Sequence, residues 1–146
     1  MRAKQIYEQG GEQTFVLIFD TGDEVISELT RFAESNDLDA ARMTAIGMFS
    51  SATLGYFDVV GRKEYKKIPI EEQVEVLSLV GDIASKEDGE PQVHAHVVLG
   101  SPDGTTRGGH LLEAHVRPTL EVVLVESPEH LKREWNEEVG LALIRL

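Results

Sequence analysis

The sequence is most informative at Val93-His94-Ala95-His96-Val97-Val98, which is followed by Ser101-Pro102-Asp103-Gly104 and then by Gly108-Gly109-His110. Two histidines stand two residues apart in an apolar run that is typical of a β-strand, and residues at i and i+2 of a strand share a face, about 7 Å apart. Asp-Gly is a turn signal. We therefore expect a hairpin that reverses near Asp103 and places His96 directly opposite His110, on one face with His94.

This spacing leaves two interpretations open. Three converging imidazoles are a suitable set of ligands for a divalent metal, and a catalytic zinc ion usually has three protein ligands and one open position. Alternatively, the histidines are ordinary polar residues on a solvated sheet face, because a slip of one residue would turn His110 to the other side. We interpret His115, which has the opposite parity, and His130, which falls in a predicted C-terminal helix, as structural or surface residues.

Composition limits the classes of protein to which the chain can belong. Its 146 residues are the length of one domain, and 41% of them are hydrophobic. The chain has no cysteine, which excludes disulfides, thiolate nucleophiles and cysteine-based metal sites. A net charge of −12 disfavours non-specific binding to nucleic acid. Because no apolar leader or membrane-length run is present, we expect a cytoplasmic protein that does not enter membranes.

The apolar pattern predicts a strand-rich chain with two helices. The first helix is expected over about 23–35, with Thr21 and Glu24 as a capping box, and the second begins at Ser127-Pro128-Glu129 and ends at Gly140. Strands are predicted over 13–20, 42–48, 51–60, 63–70, 73–80, 92–100, 108–116, 119–125 and 141–146. Short connections favour antiparallel pairing. The predicted fold class is therefore α+β, a single domain with a mainly antiparallel sheet and flanking helices.

Three further residues are candidates for chemistry. Arg117 and Glu121 alternate with Thr119, and they could bind an anionic substrate group and act as a general base or as a support for a metal ligand, or they could form a structural ion pair. Pro118 between them indicates an edge or a bulge. Glu75 lies in an apolar strand, where it is either a partly buried base or an exposed acid at a strand edge.

Together these residues resemble the signature of the plants-and-prokaryotes-conserved (PPC) domain. The resemblance covers about 5–144, and the matching pieces are Ala45-Ile46-Gly47, 52–57, 75–81, His94-Ala95-His96, Asp103-Gly104, 108–111, Val116-Arg117 and 119–124.

The resemblance implies a compact homotrimer similar in fold to acetolactate decarboxylase, which has a three-histidine zinc site. It implies that His94, His96 and His110 hold a metal, with zinc expected, and that Arg117 and Glu121 lie nearby. A metal-dependent enzyme acting on a small-molecule ligand would then use Glu75 or Glu121 as its acid or base.

Two other functions stay open. Plant members of the family carry an Arg-Gly-Arg-Pro AT-hook, and the family is associated with DNA binding and transcription. This chain has no such segment. The third hypothesis is a structural assembly module.

Overall fold

The computed structural model describes residues 1–146 and consists of nine strands in one sheet and one helix. The elements are β1 (Arg2–Gln9), β2 (Glu12–Asp20), α1 (Val25–Ser35), β3 (Ala40–Phe57), β4 (Tyr65–Ile70), β5 (Val74–Ser85), β6 (Pro91–Gly100), β7 (Thr106–Glu126), β8 (Lys132–Asn136) and β9 (Leu141–Arg145).

The sheet curls until four of its strands form a ring. Strand β3 lies between β7 and β5, and β6 pairs with β5 along one edge and with β7 along the other. All of these pairings are antiparallel, as predicted from the short connections. One short parallel bridge, Ser85 to Lys132, joins β5 to β8, so the sheet as a whole is mixed.

The core lies on the inner face of this sheet, where alternate residues of each strand are buried. In β6, Ala95, Val97 and Leu99 are almost fully buried, and the residues between them point outward. Helix α1 packs against β6 and β7 and buries Val25 and Leu29 among other apolar side chains. The helix therefore closes the core and leaves the outer face of the ring uncovered.

Helix α1 confirms the first predicted helix but not its predicted cap. The N-cap is Glu24, whose carboxylate accepts hydrogen bonds from the backbone N–H groups of Ile26 (3.1 Å), Ser27 (2.7 Å) and Ala114 (3.2 Å). Thr21 instead donates its hydroxyl to the carbonyl of Pro118, 3.3 Å away. Glu24 therefore caps the helix and ties it to β7.

Two pairs of predicted strands are each one long strand. The runs 42–48 and 51–60 are parts of β3, and the runs 108–116 and 119–125 are parts of β7. Gly47 and Pro118 mark a shift in register between these two strands, so the predicted bulge at Pro118 is confirmed although β7 is not an edge strand. At Gly47 φ is +153°, and a Cβ would lie 2.4 Å from the carbonyl oxygen of Thr119, so the bulge requires glycine.

The predicted C-terminal helix is wrong. Residues 132–136 form β8, which pairs with β9 in a hairpin. Ser127, Pro128 and Gly140 do lie between elements of secondary structure. Gly140, with φ +79°, is in the turn from β8 to β9 and does not end a helix. Long-range contacts decide the strand, because Arg133 is buried and donates hydrogen bonds to Asp82 on β5 and to the carbonyl of Ala142 on β9. His130 consequently lies in a loop.

The chain is mainly β, with fewer helices than the predicted α+β class implies. Strand β1 was not predicted because all of its residues are exposed, so it shows no apolar face. The one helix has 11 residues, and no helix is long and apolar enough to cross a membrane.

Because Glu24 and not Thr21 caps α1, we expect substitution of Glu24 to lower the stability of the protein more than substitution of Thr21. Glu24→Ala removes three hydrogen bonds at the start of α1 and should lower the free energy of unfolding by about 1–2 kcal/mol in urea denaturation. Thr21→Ala should cost less than about 0.5 kcal/mol, which is usual for an exposed site. An equal or larger loss for Thr21→Ala would show that the cap predicted from the sequence is the effective one.

Candidate metal centre

Three histidines converge on the outer face of the ring. His94 and His96 lie on β6 and His110 lies on β7, and His96 pairs directly with His110. One ligating atom from each imidazole lies within 4.8 Å of those of the other two. The three ring centroids are 5.1–5.3 Å apart. The register predicted for the hairpin is therefore confirmed.

Glycines allow the strands to approach closely behind the triad. A Cβ on Gly108 would lie 3.0 Å from the carbonyl oxygen of Val97, and one on Gly109 would lie 3.0 Å from that of Gly55. On the other edge of β6, a Cβ on Gly81 would lie 2.5 Å from the carbonyl oxygen of His94. These three glycines therefore let the neighbouring backbones pass close to the histidines.

Tyr65 forms one wall of the site. Its ring stacks on that of His110, with the centroids 4.8 Å apart and the planes 28° from parallel. Gly55, opposite His110 on β3, leaves room for it, because a Cβ there would lie 2.6 Å from Tyr65 Cδ1. The aromatic ring fixes the imidazole of His110 and removes water from one side of it.

Burial keeps two of the imidazoles neutral. Burial first, and then the charges of His94, His96 and Arg133, lower the pKa of His110 to about 4. Burial, followed by the charge of His94, also lowers the pKa of His96. Neutral imidazoles have a lone pair free for a metal, so at neutral pH these two are in the state that coordination requires.

The arrangement fits a metal ion. His110 Nδ1 is buried and has no hydrogen-bond partner, which is unusual for a polar atom in a folded protein. Zinc bonds to nitrogen are about 2.0–2.1 Å long. In tetrahedral coordination the three nitrogens would therefore lie about 3.3 Å from one another, closer than the limit of 4.8 Å within which they lie here. Small side-chain rotations are enough for that change. Three nitrogens would leave a fourth position open.

An acidic residue and a buried arginine stand behind the triad, and sequence reasoning missed both. Asp82, the partner of His94 on β5, has Oδ2 3.4 Å from His94 Nδ1. Its other oxygen, Oδ1, accepts a hydrogen bond from Arg133. A carboxylate in the apolar run 79–84 was a visible signal for Asp82. Arg133 gave none, because the pattern of its segment predicts a helix. Tyr65 gave none either, because it lies among lysines in a predicted strand.

The structure places the other candidate residues away from the histidines within one chain. Glu75 is exposed and pairs with Gly100, four positions beyond His96 on β6. Arg117 and Glu121 are exposed on β7, seven and eleven positions along the chain from His110, and neither belongs to the cluster of ligating atoms.

The ion pair between Arg117 and Glu121, which was one of the two interpretations of these residues, does not form. His115 and His130 lie outside the triad. His115 contacts Glu113, and His130 contacts Asp39 at 2.8 Å.

Comparison with known proteins identifies relatives over almost the whole chain. The family model described as the Plants and Prokaryotes Conserved (PCC) domain matches residues 7–128. A protein of Synechococcus sp. (strain JA-3-3Ab), named Bifunctional protein GlmU, is 33% identical over 111 residues, which are 75% of this chain. The chain spans only 16% of the length of that protein.

Solved structures share the fold. A plant- and prokaryote-conserved (PPC) protein from Pyrococcus horikoshii is 32% identical with a TM-score of 0.85, and the match covers 99% of this chain and 95% of that one. A metal-containing protein from Archaeoglobus fulgidus is 35% identical with a TM-score of 0.85, covering 98% and 100%. A Ralstonia eutropha JMP134 protein described as "Putative DNA-binding protein" is 30% identical with a TM-score of 0.84, covering 90% of each chain.

The lowered pKa of His110 predicts how the stability of the metal-free protein depends on pH. A histidine whose pKa falls from 6.5 to about 4 on folding stabilises the native state fully above pH 6.5, and this contribution is lost as the pH falls toward 4. Urea denaturation in the presence of a chelator should show a shallower decline from pH 6.5 to 4 for His110→Gln than for wild type. His115→Gln, outside the triad, is the control and should keep the wild-type slope.

Proposed function

The chain belongs to the Plants and Prokaryotes Conserved domain family, and we propose that it is a homotrimeric metal-binding domain. His94, His96 and His110 hold a divalent ion, zinc, and leave one coordination position for a small-molecule ligand. The observation that carries the proposal is the convergence of three imidazoles, one of which, His110, has a buried ring nitrogen without a protein partner. The related protein from Archaeoglobus fulgidus, described as metal-containing, supports it.

Zinc suits this set of donors. The site offers nitrogen ligands alone, and the chain has no cysteine to favour softer metals. When bound, a zinc ion with an open position would polarise a carbonyl group or lower the pKa of a bound water. The protein's own contribution is to hold three imidazoles on one face, to keep those of His96 and His110 neutral by burial, and to exclude water on the side of Tyr65.

An enzyme built on this site needs an acid or base, and we propose that one comes from another subunit. Glu75, Glu121 and Arg117 are exposed and lie too far along the strands to reach the triad of their own chain. In a trimer, the outer face of one ring meets a neighbouring chain, so these residues could approach a neighbour's histidines. Glu75 or Glu121 would then transfer a proton, and Arg117 would bind an anionic group of the ligand.

The trimer is supported by an uncovered apolar surface beside the triad. Five apolar side chains on the outer face are 42–61% exposed, and we call them the outer apolar patch: Ile46, Leu77, Val80, Val98 and Val123. Val80 pairs directly with His96 in the sheet, so the outer apolar patch adjoins the site. Exposed apolar groups that cluster in this way mark protein interfaces, and three identical chains can close a ring around such contacts.

DNA binding is the second candidate, because one relative is described in those words. The charge of this chain opposes it. With a net charge of −12, the chain repels phosphates, and it has no Arg-Gly-Arg-Pro segment to enter a minor groove; its one small cluster of cations, at 62–67, is the exception. The metal-binding function is therefore the one that its chemistry supports best.

Metal binding predicts a defined stoichiometry. Untagged protein, stripped with a chelator and titrated with Zn²⁺ against a chromophoric competitor, should bind one ion per chain. His96→Ala removes one of three ligands and should weaken binding by at least about 100-fold. The matched control His115→Ala should bind like wild type. Metal present below one ion per chain and unchanged in His96→Ala would overturn the proposal.

The trimer predicts a specific effect of charge on the outer apolar patch. Wild-type protein should sediment at three times the chain mass of 16.2 kDa. Ile46→Lys puts a cation at the most exposed residue of the outer apolar patch and should give monomers with an unchanged circular dichroism spectrum. Ile6→Lys on β1, where the side chain is 56% exposed, is the control and should stay trimeric. A wild-type monomer at micromolar concentration would refute the trimer.

A further inference from the structure

The C-terminal hairpin formed by β8 and β9 reaches the triad through one side chain, and we propose that Arg133 and Asp82 together position His94 for metal binding. Arg133 fixes the carboxylate of Asp82, and Asp82 accepts the Nδ1 proton of His94, which leaves the Nε2 lone pair for the ion. This inference rests on the proposed metal site. Both residues are positioning residues, because neither touches the metal.

Arg133 is buried and forms hydrogen bonds on two sides. Only 7% of its side chain is exposed, although arginine is almost never buried without a partner. It donates hydrogen bonds to Asp82 Oδ1 and, at 3.3 Å, to the carbonyl of Ala142 on the paired strand β9. The planar guanidinium therefore bridges its own hairpin and β5, and its position is set by both.

Asp82 contacts both neighbours at once. One oxygen faces Arg133 and the other lies 3.4 Å from His94 Nδ1. Asp82 and His94 are register partners on β5 and β6, so their Cβ atoms leave the sheet on the same face. Histidines that bind metals commonly donate their second ring N–H to a carboxylate, which fixes the tautomer and the orientation of the ring.

The hairpin is anchored to β5 just beyond Asp82. The backbone N–H of Ser85 donates to the carbonyl of Leu131 at 2.9 Å, and Glu87 accepts the N–H of Trp135 at 3.0 Å. The family model ends at residue 128, before this hairpin. The C-terminal segment thus supplies a support for the site that lies outside the matched part of the chain.

Charge alone predicts the opposite effect of removing Arg133. A buried cation near the triad repels a divalent ion, so deleting it should tighten binding if Arg133 acted only through its charge. If Arg133 acts by positioning, its loss frees Asp82 and His94, and metal binding weakens. The sign of the change therefore separates the two roles.

The experiment compares Arg133→Met, Asp82→Asn and Arg145→Met with wild type. Zinc affinity, measured by competition with a chromophoric chelator, should fall about 10–100-fold for Arg133→Met and for Asp82→Asn. Arg145→Met is the matched control, because Arg145 lies in the same hairpin, is 69% exposed and pairs with Glu134 and not with Asp82. It should bind zinc like wild type. Tighter or unchanged binding by Arg133→Met would overturn the inference.

A second measurement does not need the metal. Nitrogen-15 spectra of the imidazoles in metal-free wild-type protein should show His94 protonated at Nδ1, and this preference should be lost in Asp82→Asn and Arg133→Met. If wild type binds no zinc but shows this tautomer, the proposed function fails and the positioning of His94 stands. If wild type binds zinc while the variants keep both tautomer and affinity, the positioning fails alone. Should Arg133→Met not fold, the isosteric Asp82→Asn decides the question.

Discussion

The pairing of β6 with two strands at once is the constraint on which the site depends. A row of directly paired residues runs across the ring from Val123 to Thr44, Val80 and His96, and it ends at His110, on the strand where it began. Because strand residues alternate between faces, every member of this row faces outward. A slip of one residue at any of the four pairings would turn His96 or His110 into the core, where Leu99 and Leu111 now lie. Gly81, Gly108 and Gly109 permit the closure because a Cβ at each would meet a neighbouring strand's carbonyl at 2.5–3.0 Å.

Because of the same closure, the histidines and the outer apolar patch lie on one surface. The inner face is filled by the core and closed by α1, so the outer face is the one left for a ligand or a partner. On that face the histidines adjoin the outer apolar patch, with Val80 beside His96. A neighbouring chain docked on the patch would bury it and approach the triad at the same time. Within one chain, the exposed Glu75 and Glu121 lie apart from the histidines. They could act as an acid or base only on the triad of a neighbouring chain.

Local signals in the sequence placed the three histidines in one hairpin but left its register open, and long-range pairing decided it. The expected pairing of His96 with His110 is confirmed. A loop of this length allows a slip of one residue, and the pairing of β6 with β5 on its other edge helps to exclude it. Glycine and proline usually mark the ends of strands. Gly47 and Pro118 instead lie at bulges inside long strands, which continue past them because they pair with strands far along the chain. The segment after Ser127 carries a good helix start, but pairing with β9 and the bond from Arg133 to Asp82 make it a hairpin.

The electrostatics of the site also explain why its supporting charges are paired. A buried ion pair seldom adds stability, because desolvation of both ions offsets their attraction, so the pair between Arg133 and Asp82 needs another reason to exist. Beside three imidazoles, a lone aspartate would add a negative charge that is free to coordinate the ion itself, and a lone arginine would repel it. Paired, they cancel, and the carboxylate keeps one oxygen for His94. A metal ion would then find three imidazoles held in place by their neighbours, while the acidic surface, at −12 overall, raises the local concentration of cations and repels polyanions.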